Sequence, residues 1–324
     1  MNKRICVIGA GRWGSNHIRT LNELDSLAGI VDSDDFNIDK ISKQYSKINI
    51  HNNLEDSFLH NYDGYIVATP AISHFDIAKK IINNNNNVLI EKPMTLNAED
   101  AKELVDISAN KDSVVMVGHL LLFHPAIIKI KELIDSGKIG KLQYIYSNRL
   151  NLGQIRTEEN VFWSLAPHDI SILQYFIGAY PENINCSGAA FVQDGIHDTT
   201  ITNLIYPENI KAHIYLSWIH PFKEHRLVII GSDGMLTFED SSIDKEILFY
   251  DKKFVLNHKI PEKRDGDIEK IDYNRSQPLK EELIYFMDNL ENKNILKSSV
   301  QDGYEIVKIL DSASNDLQSK TRIL

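Results

Sequence analysis

Cysteine is almost absent from this chain, with only Cys6 and Cys186 in 324 residues. Two thiols cannot make a disulfide framework, and without a CxxC or HExxH pattern there is no standard zinc signature, so no metal site is expected. Long apolar runs are missing as well. No stretch reaches 18 consecutive apolar residues, which excludes a helical membrane span from the reading. The opening Met1-Asn2-Lys3-Arg4 followed by apolar residues imitates a secretory signal, but Gly9, Gly11 and Arg12 interrupt it too early. The expected location is the cytoplasm. A surplus of positive charge is also lacking. The net charge is −10 and no run of five basic residues occurs, which argues against nucleic acid or an anionic membrane as partner.

What remains is ordinary for a soluble globular chain: 43% apolar and 25% charged residues, with length enough for two domains. Its most informative stretch comes first. Ile5-Cys6-Val7-Ile8 is a short strand, in which Cys6 packs as a small hydrophobe, and it breaks into Gly9-Ala10-Gly11-Arg12-Trp13-Gly14. In this G-x-G-x-x-G pattern Gly9 permits a tight turn, Gly11 lets the backbone approach a pyrophosphate, and Gly14 lets the following helix pack on the strand. The N–H groups at that helix start face the anion. A second strand, Ala28–Val31, ends on Asp32, 18 residues beyond Gly14. A carboxylate there accepts from ribose hydroxyls and repels a 2′-phosphate, so the expected cofactor is NAD rather than NADP.

Alternation continues to residue 118. A helix is expected over 15–27 and another near 38–45. Strands follow at 64–68, 88–90 and 114–118, with helices at 77–82 and after the cap Asn97. The run Asn83–Asn87 reads as a tolerant turn. This is the pattern of a doubly wound parallel sheet. After Gly118 the rhythm changes. Helices are expected over 125–136 and 164–177, a strand at 142–150, and strands at 191–192, 199–206, 211–219, 226–230, 235–238 and 247–250. Residues 258–277 are polar and charged and read as a long exposed loop, before closing helices at 279–290 and 300–317. The expected architecture is therefore α/β, with a Rossmann domain over 1–118. An α+β domain with a large, mostly antiparallel sheet follows over 119–324, its terminal helices (279–324) open to packing back on the first domain.

Four features stand together: the glycine turn, Thr69-Pro70 with His74, Glu91-Lys92-Pro93, and Pro167-His168-Asp169. In combination they resemble the glucose–fructose oxidoreductase / inositol dehydrogenase (Gfo/Idh/MocA) family over essentially the whole chain. Within it, the glycine turn, Phe162–Ser171, Ser217-Trp218-Ile219-His220-Pro221 and the Pro278-Leu279 helix start are similar to the UDP-N-acetylglucosamine 3-dehydrogenases and their uronate relatives. The resemblance implies an NAD-dependent oxidation of a sugar hydroxyl to a ketone, in nucleotide-sugar or surface-polysaccharide biosynthesis. Oxidation of a free polyol, reduction of a keto-sugar, and a non-catalytic NAD-binding regulator are the alternatives. It also implies a homo-oligomer, dimer or tetramer, formed through the outer face of the second sheet.

Lys92 stands where a parallel strand ends, on the edge where such folds bind ligands, and the proline after it restricts its backbone. A cation there steadies a developing alkoxide. The resemblance implies that His168 is the proton acceptor, for which an imidazole titrating near working pH is suited, the alternative being a helix-start histidine that only hydrogen-bonds a loop. Many family members carry an acid four residues before this histidine, where this chain has Ser164. Either Lys92 and His168 suffice, or Asp169 supplies the carboxylate, or activity is reduced. By resemblance Arg12, Trp13, Thr69, Pro70 and Glu91 line the cofactor. His74 either lies near it or is a solvated helix residue. Arg149, Arg156, Lys223 and Arg226 are the candidates for a substrate diphosphate.

Overall fold

The structure is a computed structural model that describes residues 3–293 and 295–321. The chain forms two compact units: one runs to Phe123 and takes in Gln277–Lys308, the other holds His124–Ser276 and the chain from Ile309.

In the first unit six parallel strands are ordered β3-β2-β1-β4-β5-β6. They are β1 (Ile5–Ile8), β2 (Leu27–Val31), β3 (Asn49–His51), β4 (Gly64–Val67), β5 (Val88–Glu91) and β6 (Val115–Gly118). Between them run α1 (Gly14–Glu23), α2 (Asp35–Gln44), α3 (Leu54–Ser57), α4 (His74–Asn83) and α5 (Ala98–Ala109). Strands β1, β4, β5 and β6 are buried at every residue, which is why they read as unbroken apolar runs. The strand order reverses between β1 and β4, the switch point beside which a doubly wound sheet binds its ligand.

Local chemistry sets the helix ends. Asp34, Asn53 and Asn97 cap α2, α3 and α5 by accepting backbone N–H groups two or three residues ahead. Helix α1 stops four residues short of the expected end, because Asp25 turns to φ 51°. Strand β3 and α3 escape the sequence reading, being too short to show a period. The asparagine run is more than a tolerant turn: Asn87 donates its side-chain amide to the Asp63 carbonyl and accepts from Val114 N, both at 2.8 Å, joining the starts of β4 and β6.

The second unit carries α6 (Pro125–Asp135), β7 (Leu142–Leu152), α7 (Val161–Ile177), β8 (Asn183–Ala189), β9 (Thr199–Ile205), β10 (Lys211–Ser217), β11 (Ile219–Gly231), β12 (Met235–Glu239), β13 (Ile247–Asn257) and β14 (Ile260–Ile271). The eight strands are ordered β14-β13-β12-β11-β7-β10-β9-β8, with β7 and β10 parallel and the other neighbours antiparallel. Helix α7 covers one face of β7, β9 and β10. Alternation in β10 buries Ala212, Ile214 and Leu216 and turns His213 and Tyr215 to the opposite face.

Two expectations fail here. Residues 258–277 are not one long loop, since β14 pairs with β13 along its length. Every residue of β14 but the last is exposed, so no apolar alternation announces the strand. Its hairpin turn uses His258 and Lys259, both at positive φ, in place of a glycine signal. Phe191–Val192 is not a strand either. Asp198 Oδ2 gathers both backbone N–H groups, at 2.7 and 2.9 Å, into a loop, and the edge strand is Asn183–Ala189.

Two helices close the chain, α8 (Pro278–Asn292) and α9 (Val300–Thr321). Helix α8 belongs to the first unit, against α1 and the turn Leu120–Phe123. The start of α9 lies close to Val117 and Met94, where a side chain on Gly303 would meet Val117 Cγ2 at 2.6 Å.

Candidate active site

The glycine turn emerges from β1 between the ends of β2 and β4. Gly9 has φ +90°, and a Cβ on it would stand 2.9 Å from the Ala68 carbonyl, so only glycine fits. A Cβ on Gly14 would lie 1.8 Å from the Gly9 carbonyl, which is how closely α1 returns to the strand. On Gly11 a Cβ would meet no protein atom within 4 Å: here the backbone is open to close approach from outside. Asp32 at the end of β2 accepts from Ala10 N at 2.6 Å and from Asp34 N at 2.8 Å, so it holds the turn as well as facing it. This cradle of free backbone, helix start and carboxylate fits a dinucleotide. Arg12 is exposed, and so is Trp13 in part.

At the end of β4, Thr69 is half-buried and Pro70 exposed. His74, which follows, is neither solvated nor open to a ligand. It is 1% exposed, with Nδ1 2.8 Å from the Pro93 carbonyl and Nε2 2.9 Å from the Thr69 carbonyl, so its ring bridges the two. It thereby ties the chain just after β4 to the chain just after β5, next to Lys92. Lys92 is half-buried, and its peptide bond to Pro93 is cis.

Glu91 is buried with its carboxylate turned toward α1. Its Oε1 accepts from the Trp13 indole N–H and from His17 Nε2 at 2.7 Å, and its Oε2 from Lys92 N at 3.2 Å. Burial opposes its ionisation, but His17, Trp13 and the Lys92 charge prevail and hold the carboxyl below its ordinary range. Gly118 on the neighbouring strand makes room: a Cβ there would stand 3.1 Å from Oε2. His17 went unrecognised in the sequence, although its place one turn into the helix after the glycines could have marked it.

In the second unit α7 carries His168. Asn160 caps the helix by accepting from Phe162 N and Trp163 N, both at 3.0 Å, which starts it three residues earlier than the periodicity suggests. Ser164 is buried one turn before the half-buried His168. Asp169 does not supply the carboxylate in place of Ser164. It is 1% exposed and accepts from Ser147 Oγ at 2.6 Å and from Arg149 Nε and Nη2 at 2.9 and 3.0 Å. Arg149 is spent on the same pair, and its side chain is 12% exposed, which removes it from the diphosphate candidates. Arg226 is exposed but bonded to Glu239 at 2.9 Å. Arg156 and Lys223 lie at the surface. Beside Arg149, burial and then the Arg149 and Lys223 charges push His225 down to about 4.

Among the described residues no group of three or more His, Cys, Asp or Glu side chains is placed to hold a metal ion, and no helix is long and apolar enough to cross a membrane.

Comparison with known proteins bears on the fold and the family. The profile of the Gfo/Idh/MocA oxidoreductase family, NAD-binding Rossmann fold, matches residues 3–119, and that of the family's C-terminal domain matches 127–237. A UDP-N-acetylglucosamine 3-dehydrogenase of Acidithiobacillus ferrooxidans is 27% identical over 60% of this chain and 60% of its own, so the matched stretch is less than two thirds of that relative. A scyllo-inositol 2-dehydrogenase (NAD(+)) of Bacillus subtilis is 25% identical over 72% of each chain. A solved structure of the Acidithiobacillus protein gives a TM-score of 0.87 over 99% of both chains at 20% identity. A Bordetella pertussis dehydrogenase solved with NADH and UDP-GlcNAcA gives 0.79 over 99% of this chain and 98% of its own at 16% identity. At these identities the solved structures speak for the fold, and the two profiles, with the glycine cradle and Asp32, speak for the lineage. The chain belongs to the Gfo/Idh/MocA family of NAD-dependent oxidoreductases.

Proposed function

We propose that this chain oxidises the 3-hydroxyl of a UDP-linked N-acetylhexosamine or of its uronic acid, with NAD as cofactor. The observation that carries this reading is the likeness, in sequence and over the full fold, to a UDP-N-acetylglucosamine 3-dehydrogenase. Gly9, Gly11, Gly14 and Asp32 would hold the cofactor, which when bound supplies the acceptor for hydride. Lys92 is assigned to the oxygen as negative charge builds there, and the bond of His74 to Pro93 and to Thr69 at the neighbouring strand end supports it in that place. His168 is assigned to take the hydroxyl proton. Ser164 cannot hold charge, so the imidazole works without a carboxylate at that position.

The outer face of the second sheet is proposed as the contact between copies of this chain. Tyr144, Tyr146, His213 and Tyr215 lie there, with the His213 ring stacked on Tyr146 at 5.1 Å. Tyr146→Asp should lower the mass seen by light scattering if this face joins the copies.

The substrate assignment is tested by a panel of UDP-sugars and free polyols, followed by NADH absorbance and product mass. A 2-oxo acid is added where the cofactor recycles in place. A 3-keto UDP-sugar is the expected product. Turnover of inositols alone would move the reading to a polyol dehydrogenase, and NAD bound but never reduced would make the chain a regulator. Lys92→Ala should lose at least about 100-fold in turnover. A folded variant with full turnover would falsify the role of Lys92.

A further inference from the structure

The first unit holds a buried acid that the proposed chemistry does not use. Glu282, on the face of α8 that packs into the first unit, is 0% exposed, and neither of its carboxyl oxygens has a hydrogen-bond partner among the described residues. Its charged neighbour is Glu91. Two ionised carboxylates cannot share so dry a place, and Glu91 is the one committed to its charge, because two donors converge on its Oε1. Those donors, Trp13 and His17, belong to the glycine turn and the first turns of α1. Glu91 therefore fixes where the turn stands relative to the end of β5, and a second buried charge beside it would oppose that hold.

We propose that Glu282, fully buried and without a hydrogen-bond partner among the described residues, is a positioning residue for the cofactor site, acting through Glu91, whose bonds to Trp13 and His17 hold the glycine turn in register with the Lys92 strand end. Burial first, and then the Glu91 charge, keep the Glu282 proton in place well above the usual carboxylate range. Loss of that proton sets two negative charges side by side, drives Glu91 off Trp13 and His17, and loosens the turn. The titratable and charged groups around the cluster are His17 on α1, Glu91 and Lys92 at the end of β5, His119 after β6 and Asp302 on α9. His119 is neutral throughout the neutral and alkaline range, since burial pushes it down to about 4. Other groups also change charge at high pH, and the Glu282 variants separate them from Glu282.

The proposal rests on NAD binding at the glycine turn, and the test reads both. NADH is titrated into the full chain from pH 6 to pH 10, with energy transfer from the indoles as signal. The native chain should bind at neutral pH and then weaken by up to tenfold per pH unit once Glu282 ionises. Glu282→Gln, which cannot ionise, should match the native affinity at pH 7 and hold it through the alkaline range. Glu282→Leu, which likewise cannot ionise, should also hold its affinity through the alkaline range, because Glu282 makes no hydrogen bond among the described residues that the leucine would lose. Glu91→Gln should bind at least tenfold more weakly at every pH. An alkaline loss in Glu282→Gln with the native midpoint would overturn the proposal and assign the loss to another group, and a native profile flat to pH 10 would overturn it too. Absence of NADH binding by the native chain at any pH would instead overturn the cofactor site.

Discussion

Asp169→Asn tests how the helix bearing His168 is held. The native carboxylate is almost fully buried and takes three hydrogen bonds, two of them from one face of the Arg149 guanidinium. The amide keeps the shape and one acceptor oxygen but takes from the buried Arg149 the carboxylate it is hydrogen-bonded to, leaving only the weaker influence of Asp240. Breaking a buried pair from one side costs about 3–5 kcal/mol, a large share of the roughly 5–15 kcal/mol that holds a domain. For a unit of this size that is a fall in Tm of roughly 6–20 °C. Urea unfolding followed by the fluorescence of Trp163 and Trp218, both in the second unit, reads the change. The paired replacement Arg149→Met with Asp169→Leu should recover most of the loss, because apolar groups of similar volume repay no desolvation. A stability for Asp169→Asn within about 1 kcal/mol of native, or a paired variant as unstable as the single one, would refute the reasoning.

Three further outcomes follow from the first unit. Gly14→Ala should abolish NADH binding in a titration, since its Cβ cannot stand 1.8 Å from the Gly9 carbonyl without moving the turn. His74→Ala should cost about 2–4 kcal/mol in chemical unfolding, because it strands two carbonyl acceptors, and should lower turnover by displacing Lys92. Glu282→Gln should make the chain more stable at neutral pH. The native acid keeps its proton while the unfolded one ionises near pH 4.3, so native stability is full below that point and falls by about 1.4 kcal/mol per pH unit above it until the folded group also ionises. Urea midpoints of the two proteins that run parallel from pH 5 to pH 7 would contradict this.

The first unit was legible because its signals are local. Gly9, Gly11 and Gly14 are demanded by a turn and a close approach, and Asp32 closes a strand at the right interval, so residue type alone carries the geometry. The second sheet was legible only where one face is buried. In β14 both faces meet water and the turn is made by His258 and Lys259, so neither periodicity nor glycine marks it. The reach of side chains was the least legible. Nothing in the sequence tells that Arg149 is spent on Asp169, or that His74 ties the chain after β4 to the chain after β5. A clue to Glu282 did exist. It stands one turn before Phe286 and beside Leu283, on the apolar stripe of α8, where a carboxylate has no ordinary reason to be.

The long hairpin of β13 and β14 has a consequence outside any chemistry of the site. Its outermost strand offers a row of unpaired backbone groups twelve residues long, a ready template for stray strands from other chains. Seven of those twelve residues are charged, with both signs interspersed from Glu262 to Lys270. An incoming strand would have to strip water from that row before gaining a single ladder bond, so the composition that hid β14 from recognition also protects the protein from fibrous self-association.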